Sequence, residues 1–149
     1  MQYQNNNVAL YIKSQTKIFM ATLFTKIIKG EIPSYKIAET TEFYAFLDIH
    51  PNAIGHTLCI PKKEVDKIFD LDDETYVGLM QFSKRVAKAL AKTVDCKRVG
   101  MSVIGLEVPH VHVHLIPLTS MQDVTFQSKV KMEKKQFEEL ALQVSKNFS

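Results

Sequence analysis

Cysteine is scarce in this chain of 149 residues: Cys59 and Cys96 are the only two, they stand far apart, and neither belongs to a CxxC pair. A reduced, cytoplasmic setting is the expectation, with a single disulfide left open. Residues 1 to 19, "MQYQNNNVALYIKSQTKIF", hold no apolar stretch of signal-peptide length. Nor does any segment reach the roughly 18 apolar residues of a membrane span, so a soluble protein with no membrane partner is expected. Also missing is the dense Lys and Arg stripe of a dedicated nucleic-acid binder. Charged residues make up 23% and the formal net charge is +3, which gives a mild attraction to anions and no expected nucleic-acid partner. No internal repeat or low-complexity tract is apparent.

What is present suits one globular domain with an ordinary core, since 46% of the residues are hydrophobic. A second methionine, Met20, opens a stretch that reads as the domain start. Residues 1 to 19 are therefore an N-terminal extension, and residues 20 to 149 a single domain that includes a C-terminal helical tail. In "TLFTKIIKGEIP", Phe24, Ile27 and Ile28 share a helical face before Gly30 and Pro33 end the element. Strands follow at about 34 to 39, 42 to 49 and 55 to 61. After Asp70-Leu71-Asp72, where an Asp can cap a first turn, Tyr76, Leu79, Met80, Val86, Ala87, Leu90 and Val94 recur at helical spacing. Two more strands are read at 98 to 104 and 108 to 117. A last helix runs from about Lys131 to Asn147, with Phe137, Leu140, Val144 and Phe148 as its apolar stripe. The expectation is an α+β fold: a five-stranded antiparallel sheet, mostly a meander, with one long helix, a short N-terminal helix and a C-terminal helix.

Three of the five histidines fall within six residues, in "PHVHVHLIPL". In a strand, side chains repeat every second residue, so His110, His112 and His114 share one face while Val111, Val113 and Leu115 share the other. A half-exposed strand that happens to carry histidine explains a single HxH pair better than it explains three in register. A metal is the next reading, because HxH on a strand can offer two nitrogens to zinc. The outer pair, however, is separated by about 13 Å at roughly 3.3 Å of rise per residue, so the row cannot surround one ion. His50, His56, Asp48 or Glu107 would have to complete such a site. The third reading is nucleophilic catalysis. A neutral imidazole nitrogen attacks phosphorus near neutral pH, and the phosphoramidate it forms is labile enough to be hydrolysed. His112, in the middle, is the natural attacker, with neighbours to hold its tautomer and offset phosphoryl charge.

"HVHVHLIP" resembles the signature of the histidine triad (HIT) family, and "FTKIIKGEIPSYKI" and "AFLDIHPNAIGHTLCIPKKEV" are similar to its Hint-like branch. The resemblance covers residues 20 to about 118. It implies a nucleotide-binding homodimer that acts on a purine, AMP-type nucleotide at the α-phosphate through a nucleotidyl-histidine intermediate, with no cofactor. It implies His112 as nucleophile, His110 as a phosphate and leaving-group contact, His114 as an orienting partner and His56 as support from the neighbouring strand. Asp48 matches an acceptor for ribose hydroxyls, and Phe24, Ile27, Leu47 and Ile49 match apolar positions around the base. Plain core packing explains those four equally well. His50 matches no family histidine and reads as a loop surface residue.

Two departures matter. Some members of the branch carry CxxC and a later His able to bind structural zinc; Thr22, Thr25 and Glu64 stand at those positions here, so no structural metal is expected. The family's polar donors just before the triad are replaced by Leu106 and Glu107, leaving Gly105 to lend a backbone N–H to phosphate. Two unit charges about 4 Å apart at an effective dielectric near 20 interact by about 4 kcal/mol, so a carboxylate there disfavours a polyphosphate. Either Glu107 faces away, or the substrate is a small phosphoramidate or acyl-type adenylate. A catalytically weak nucleotide-binding sensor, a nucleotidyl transferase and a dinucleoside polyphosphate hydrolase stay open as alternatives. The basic stretch "KVKMEKK" reads as a solvated helix start, with a role at the mouth of a partner's site as the alternative.

Overall fold

A computed structural model describes residues 23–149. The expected extension at residues 1 to 19 lies outside the described residues, as do Met20 and Thr22. A short helix, α1, spans 23–28 and ends where Gly30 takes a positive φ of 76°. Strands β1 (Lys36–Glu39), β2 (Phe43–Leu47), β3 (Thr57–Pro61), β4 (Arg98–Ser102) and β5 (Val113–Leu118) form one antiparallel sheet in the order β1-β2-β3-β5-β4. Helix α2 (Asp73–Thr93) connects β3 to β4, and α3 (Lys134–Asn147) follows the last strand.

The α+β class and the five antiparallel strands are as expected, but the meander stops after β3. The chain crosses through α2 to the far edge, and β5 returns between β3 and β4 with Leu58 opposite His114 and Gly100 opposite Ile116. The physical reason lies in the strand sequences. Val113 to Pro117 are all buried, which suits a central strand, whereas Arg98 and Met101 leave β4 fit for an edge.

Alternation in β2 divides the interior. Ala45 and Leu47 pack with Cys59, Val113 and Leu115 beneath α2 and α3, while Tyr44 and Phe46 turn to the opposite face and meet Phe24, Ile27, Leu58 and Ile60. That second face also carries the histidines, since the Phe24 ring lies 5.4 Å from His110 and 5.5 Å from His112 between centroids.

Helix α2 starts where expected. The Asp72 carboxylate accepts the Thr75 N–H at 2.9 Å, and this bond first of all holds its pKa below the ordinary carboxylate range. Its buried stripe is Leu79, Phe82, Ser83, Val86, Ala89 and Leu90, so Tyr76 moves from the expected core to the rim and Phe82 moves in. The ring of Phe82 stacks on Phe43 at 5.6 Å. Helix α3 begins three residues later than expected because Glu133 and Gln136 form a capping box there. Cys59 and Cys96 are both free thiols, and burial pushes Cys59 up to about 12. No helix among the described residues is long and apolar enough to cross a membrane.

Candidate active site

The triad is not wholly inside a strand. His114 belongs to β5, while His110 and His112 sit in the extended segment leading into it. The side-chain alternation persists through that segment: Val111 and Val113 enter the α2 core, and the imidazoles stay on the other face. That face is covered too. His110, His112 and His114 are 0%, 7% and 8% exposed, so they line a recess and not an open sheet surface.

Main-chain groups set the ring tautomers. The Asn52 N–H donates to His56 Nδ1 at 3.0 Å, so a neutral His56 carries its proton on Nε2. That Nε2–H donates to His114 Nδ1 at 2.9 Å, which places the His114 proton on its own Nε2. Separately, His112 Nδ1–H donates to the carbonyl oxygen of His110 at 2.7 Å, leaving the Nε2 lone pair of His112 as the unprotonated nitrogen. His110 Nε2–H donates to the Pro61 carbonyl at 2.7 Å. The His110 ring is therefore turned under the end of β3 and lines neither of the site's cavities, in contrast to the phosphate contact implied for it. What it presents to His112 is its main-chain oxygen. His114, expected to orient, does line both cavities.

Burial drives the charge state of this row. Desolvation lowers His56 to about 3, with His114, Lys129 and His112 acting in the same direction, and lowers His114 to about 4. Burial also raises Asp48, against the opposing His50 N–H bond of 2.8 Å and the charge of Lys129. An imidazole whose folded value lies below its unfolded value of about 6.5 binds fewer protons when native, so acidification through that window favours unfolding. The raised Asp48 opposes this in sign, but two imidazoles outweigh one carboxyl. The urea midpoint should fall between about pH 7 and pH 5, above the range where ordinary carboxylates contribute. A midpoint flat across that interval would contradict the assignment of both histidines as buried and neutral.

Asp48, His56 and His114 are also the one group among the described residues whose ligand atoms approach metal-site geometry, all within 4.8 Å of one another. His56 Nε2 and His114 Nδ1, at 2.9 Å, stand closer than the about 3.3 Å between ligand atoms on a tetrahedral zinc, and a shared proton accounts for the contact. At the zinc-type positions, the Thr25 hydroxyl donates to the Glu64 carboxylate, which brings those two side chains together.

Two cavities meet at the triad. An apolar one of about 320 Å³ is lined by Phe24, Ile27, Phe46, Leu47, Ile49 and Leu58, among others; Ile49, 61% exposed, flanks its opening. A second, of about 620 Å³, is lined by Ile104, Gly105, Leu106, Phe126 and Lys129. Asp48, His50, Glu107, His112 and His114 line both, and so mark the junction. Glu107 thus lies at the junction, beside Asp48 and His112. The sequence reading missed four residues here. His50 lines the junction, and Asn52, Phe126 and Lys129 bring the chain after β5 back over the triad. Phe126 places its ring 5.0 Å from His114, and Lys129 Nζ donates to Asn52 Oδ1 at 2.6 Å. No spacing signal links residues more than 70 apart, but the basic stretch was visible; its first lysine lies at the mouth of the chain's own site.

The family model of the HIT domain matches residues 29–121, and the chain belongs to the histidine triad family. It is similar to the adenosine 5′-monophosphoramidase of Saccharomyces cerevisiae, 48% identical over 98 residues, covering 65% of this chain and 62% of that protein's length. An uncharacterized HIT-like protein of Borreliella burgdorferi is 34% identical over 134 residues, covering 84% of this chain and 96% of its own. Among solved structures, a Hit-like protein from Bartonella henselae has a TM-score of 0.75 at 30% identity, covering 85% of this chain and 95% of that one.

Proposed function

We propose that this protein is a hydrolase that cleaves adenosine 5′-phosphoramidate and similar purine nucleotide derivatives at the α-phosphate, through a nucleotidyl-histidine intermediate. The observation that carries this reading is the junction of the two cavities. The base enters the apolar cavity, Asp48 accepts a ribose hydroxyl, and the phosphorus stands between His112 and the second cavity, which receives the leaving group. The 48% identity to a yeast phosphoramidase supports the substrate class.

The lone pair on His112 Nε2 forms a bond to phosphorus, and the bond to the amino group breaks. With nitrogen protonated in the substrate, that group departs as ammonia and takes the bonding pair. His112 becomes a phosphorylated imidazolium whose Nδ1–H stays on the His110 carbonyl, so no base need remove that proton. Water then attacks phosphorus, the imidazole leaves neutral, and AMP and one proton are released. His114 Nε2–H is positioned to donate to a phosphoryl oxygen.

The protein works as a cytoplasmic homodimer in this reading, supported by the edge position of β4 and by the exposed Met101 and Ile104 beside it. Sedimentation should give twice the 17.0 kDa chain mass. Because Glu107 lines the junction, kcat/KM for adenosine 5′-phosphoramidate should exceed that for diadenosine tetraphosphate by about tenfold or more, with chelator present throughout. Comparable values would remove the charge argument, and absence of AMP release would remove the phosphoramidase reading.

A further inference from the structure

The segment from Thr119 to Val130 is built as a strap across the site. The Asp123 carboxylate accepts the N–H groups of Thr119 and Ser120 at 2.8 and 3.0 Å, Asn52 Nδ2 donates to the Asp123 carbonyl at 3.0 Å, and the Val130 N–H donates to the Pro51 carbonyl at 2.9 Å. Within it, Phe126 holds a φ of 60°, uncommon for a non-glycine residue. The strained residue is packed on both sides: its ring meets the edges of His114 and His56, and the Lys129 ammonium lies 5.0 Å from the ring centroid.

Lys129 is the one lysine or arginine among the described residues lining either cavity, whereas Asp48 and Glu107 line both. A phosphate entering between two carboxylates requires a compensating cation. Lys129 has the capacity. An ammonium offers three hydrogens, Asn52 Oδ1 takes one, and no carboxylate of the described residues pairs with it within 4 Å. Its charge is already felt at Asp48, His56 and His114.

We propose that Lys129, carried by this strap, is a specificity-determining cation that binds a non-bridging phosphate oxygen of the nucleotide and so selects phosphorylated over unphosphorylated nucleosides. The proposal rests on the nucleotide reading above, with AMP and adenosine as the probes that separate the two.

Calorimetric titration of each ligand into wild type, Lys129→Met and Lys129→Arg tests it. Lys129→Met should weaken AMP binding by about tenfold while leaving adenosine within about twofold, and Lys129→Arg should restore most of the loss. Added salt should weaken AMP binding to wild type more than to Lys129→Met. Equal losses for AMP and adenosine would show that the lysine only holds the strap in place, and an unchanged AMP affinity would show that it does not reach the phosphate; either overturns the proposal. Wild type that binds neither ligand would instead overturn the nucleotide reading itself.

Discussion

Replacing His112 with alanine should lower AMP release from adenosine 5′-phosphoramidate by about a thousandfold or more, because the substitution deletes the atom that forms the bond to phosphorus. The loss should appear in kcat, with AMP affinity changed far less, since base, ribose and phosphate contacts come from other residues. Fold should survive: His112 Nδ1 bonds only to the His110 carbonyl, and the His112 imidazole itself lines the cavity, so water can enter the space it leaves. Circular dichroism and a urea titration would check that point beside the kinetics. A variant that retains a tenth or more of wild-type turnover would mean that water attacks the substrate directly, with His112 merely polarising it. Rapid quench of wild type into alkaline denaturant, where a phosphorylated imidazole persists, should show nucleotide attached to protein during turnover, and His112→Ala should show none.

This prediction is sharp because the nucleophile's tautomer is fixed by backbone. Side-chain donors and acceptors can be lost singly by mutation, but the His110 carbonyl and the Asn52 N–H persist whatever side chain follows them. The two relays are separate, one ending on His112 and the other on His114 through His56. Changes in the second should therefore affect the phosphoryl-oxygen contact and orientation more than nucleophilicity.

The histidine row was legible because alternation in an extended chain is local, needing only the two-residue period and the valines between. The α2 cap was legible for the same reason. What the sequence could not display was the burial of the row, since the cover comes from Phe24 on α1 and Phe126 on the strap, far apart in the chain. The turned His110 ring depends on the Pro61 carbonyl across the sheet, and the insertion of β5 beside β3 depends on comparing strands for edge or centre. Both are long-range choices. Asn52 shows the limit most clearly: as part of "HPNAIG" it reads as a turn residue, yet it touches His56, Asp123 and Lys129.

The same turn supplies the second large effect. Gly55 sits at φ 91°, immediately before His56, and a Cβ there would stand 3.0 Å from Val94 Cγ2 and 3.1 Å from Pro117 Cγ. Gly55→Ala therefore meets two costs together, a backbone conformation that L residues rarely adopt and a crowded interior between α2 and β5. The sum is about 2–4 kcal/mol, which for a chain of this size lowers the melting temperature by about 5–15 °C. Gly30→Ala is the internal control. Its φ is 76°, but nothing lies within 4 Å of the added Cβ, so it bears the backbone cost alone, about 1 kcal/mol. If both variants melt alike, the packing contribution at Gly55 is absent. If Gly55→Ala melts much lower, activity measured well below its transition reports on the site. The strain must then relax through the 50 to 56 turn, shifting the Asn52 N–H from His56 Nδ1 and releasing the His56 tautomer. Turnover should fall by about tenfold with AMP binding largely kept, a signature that overall destabilisation alone does not produce.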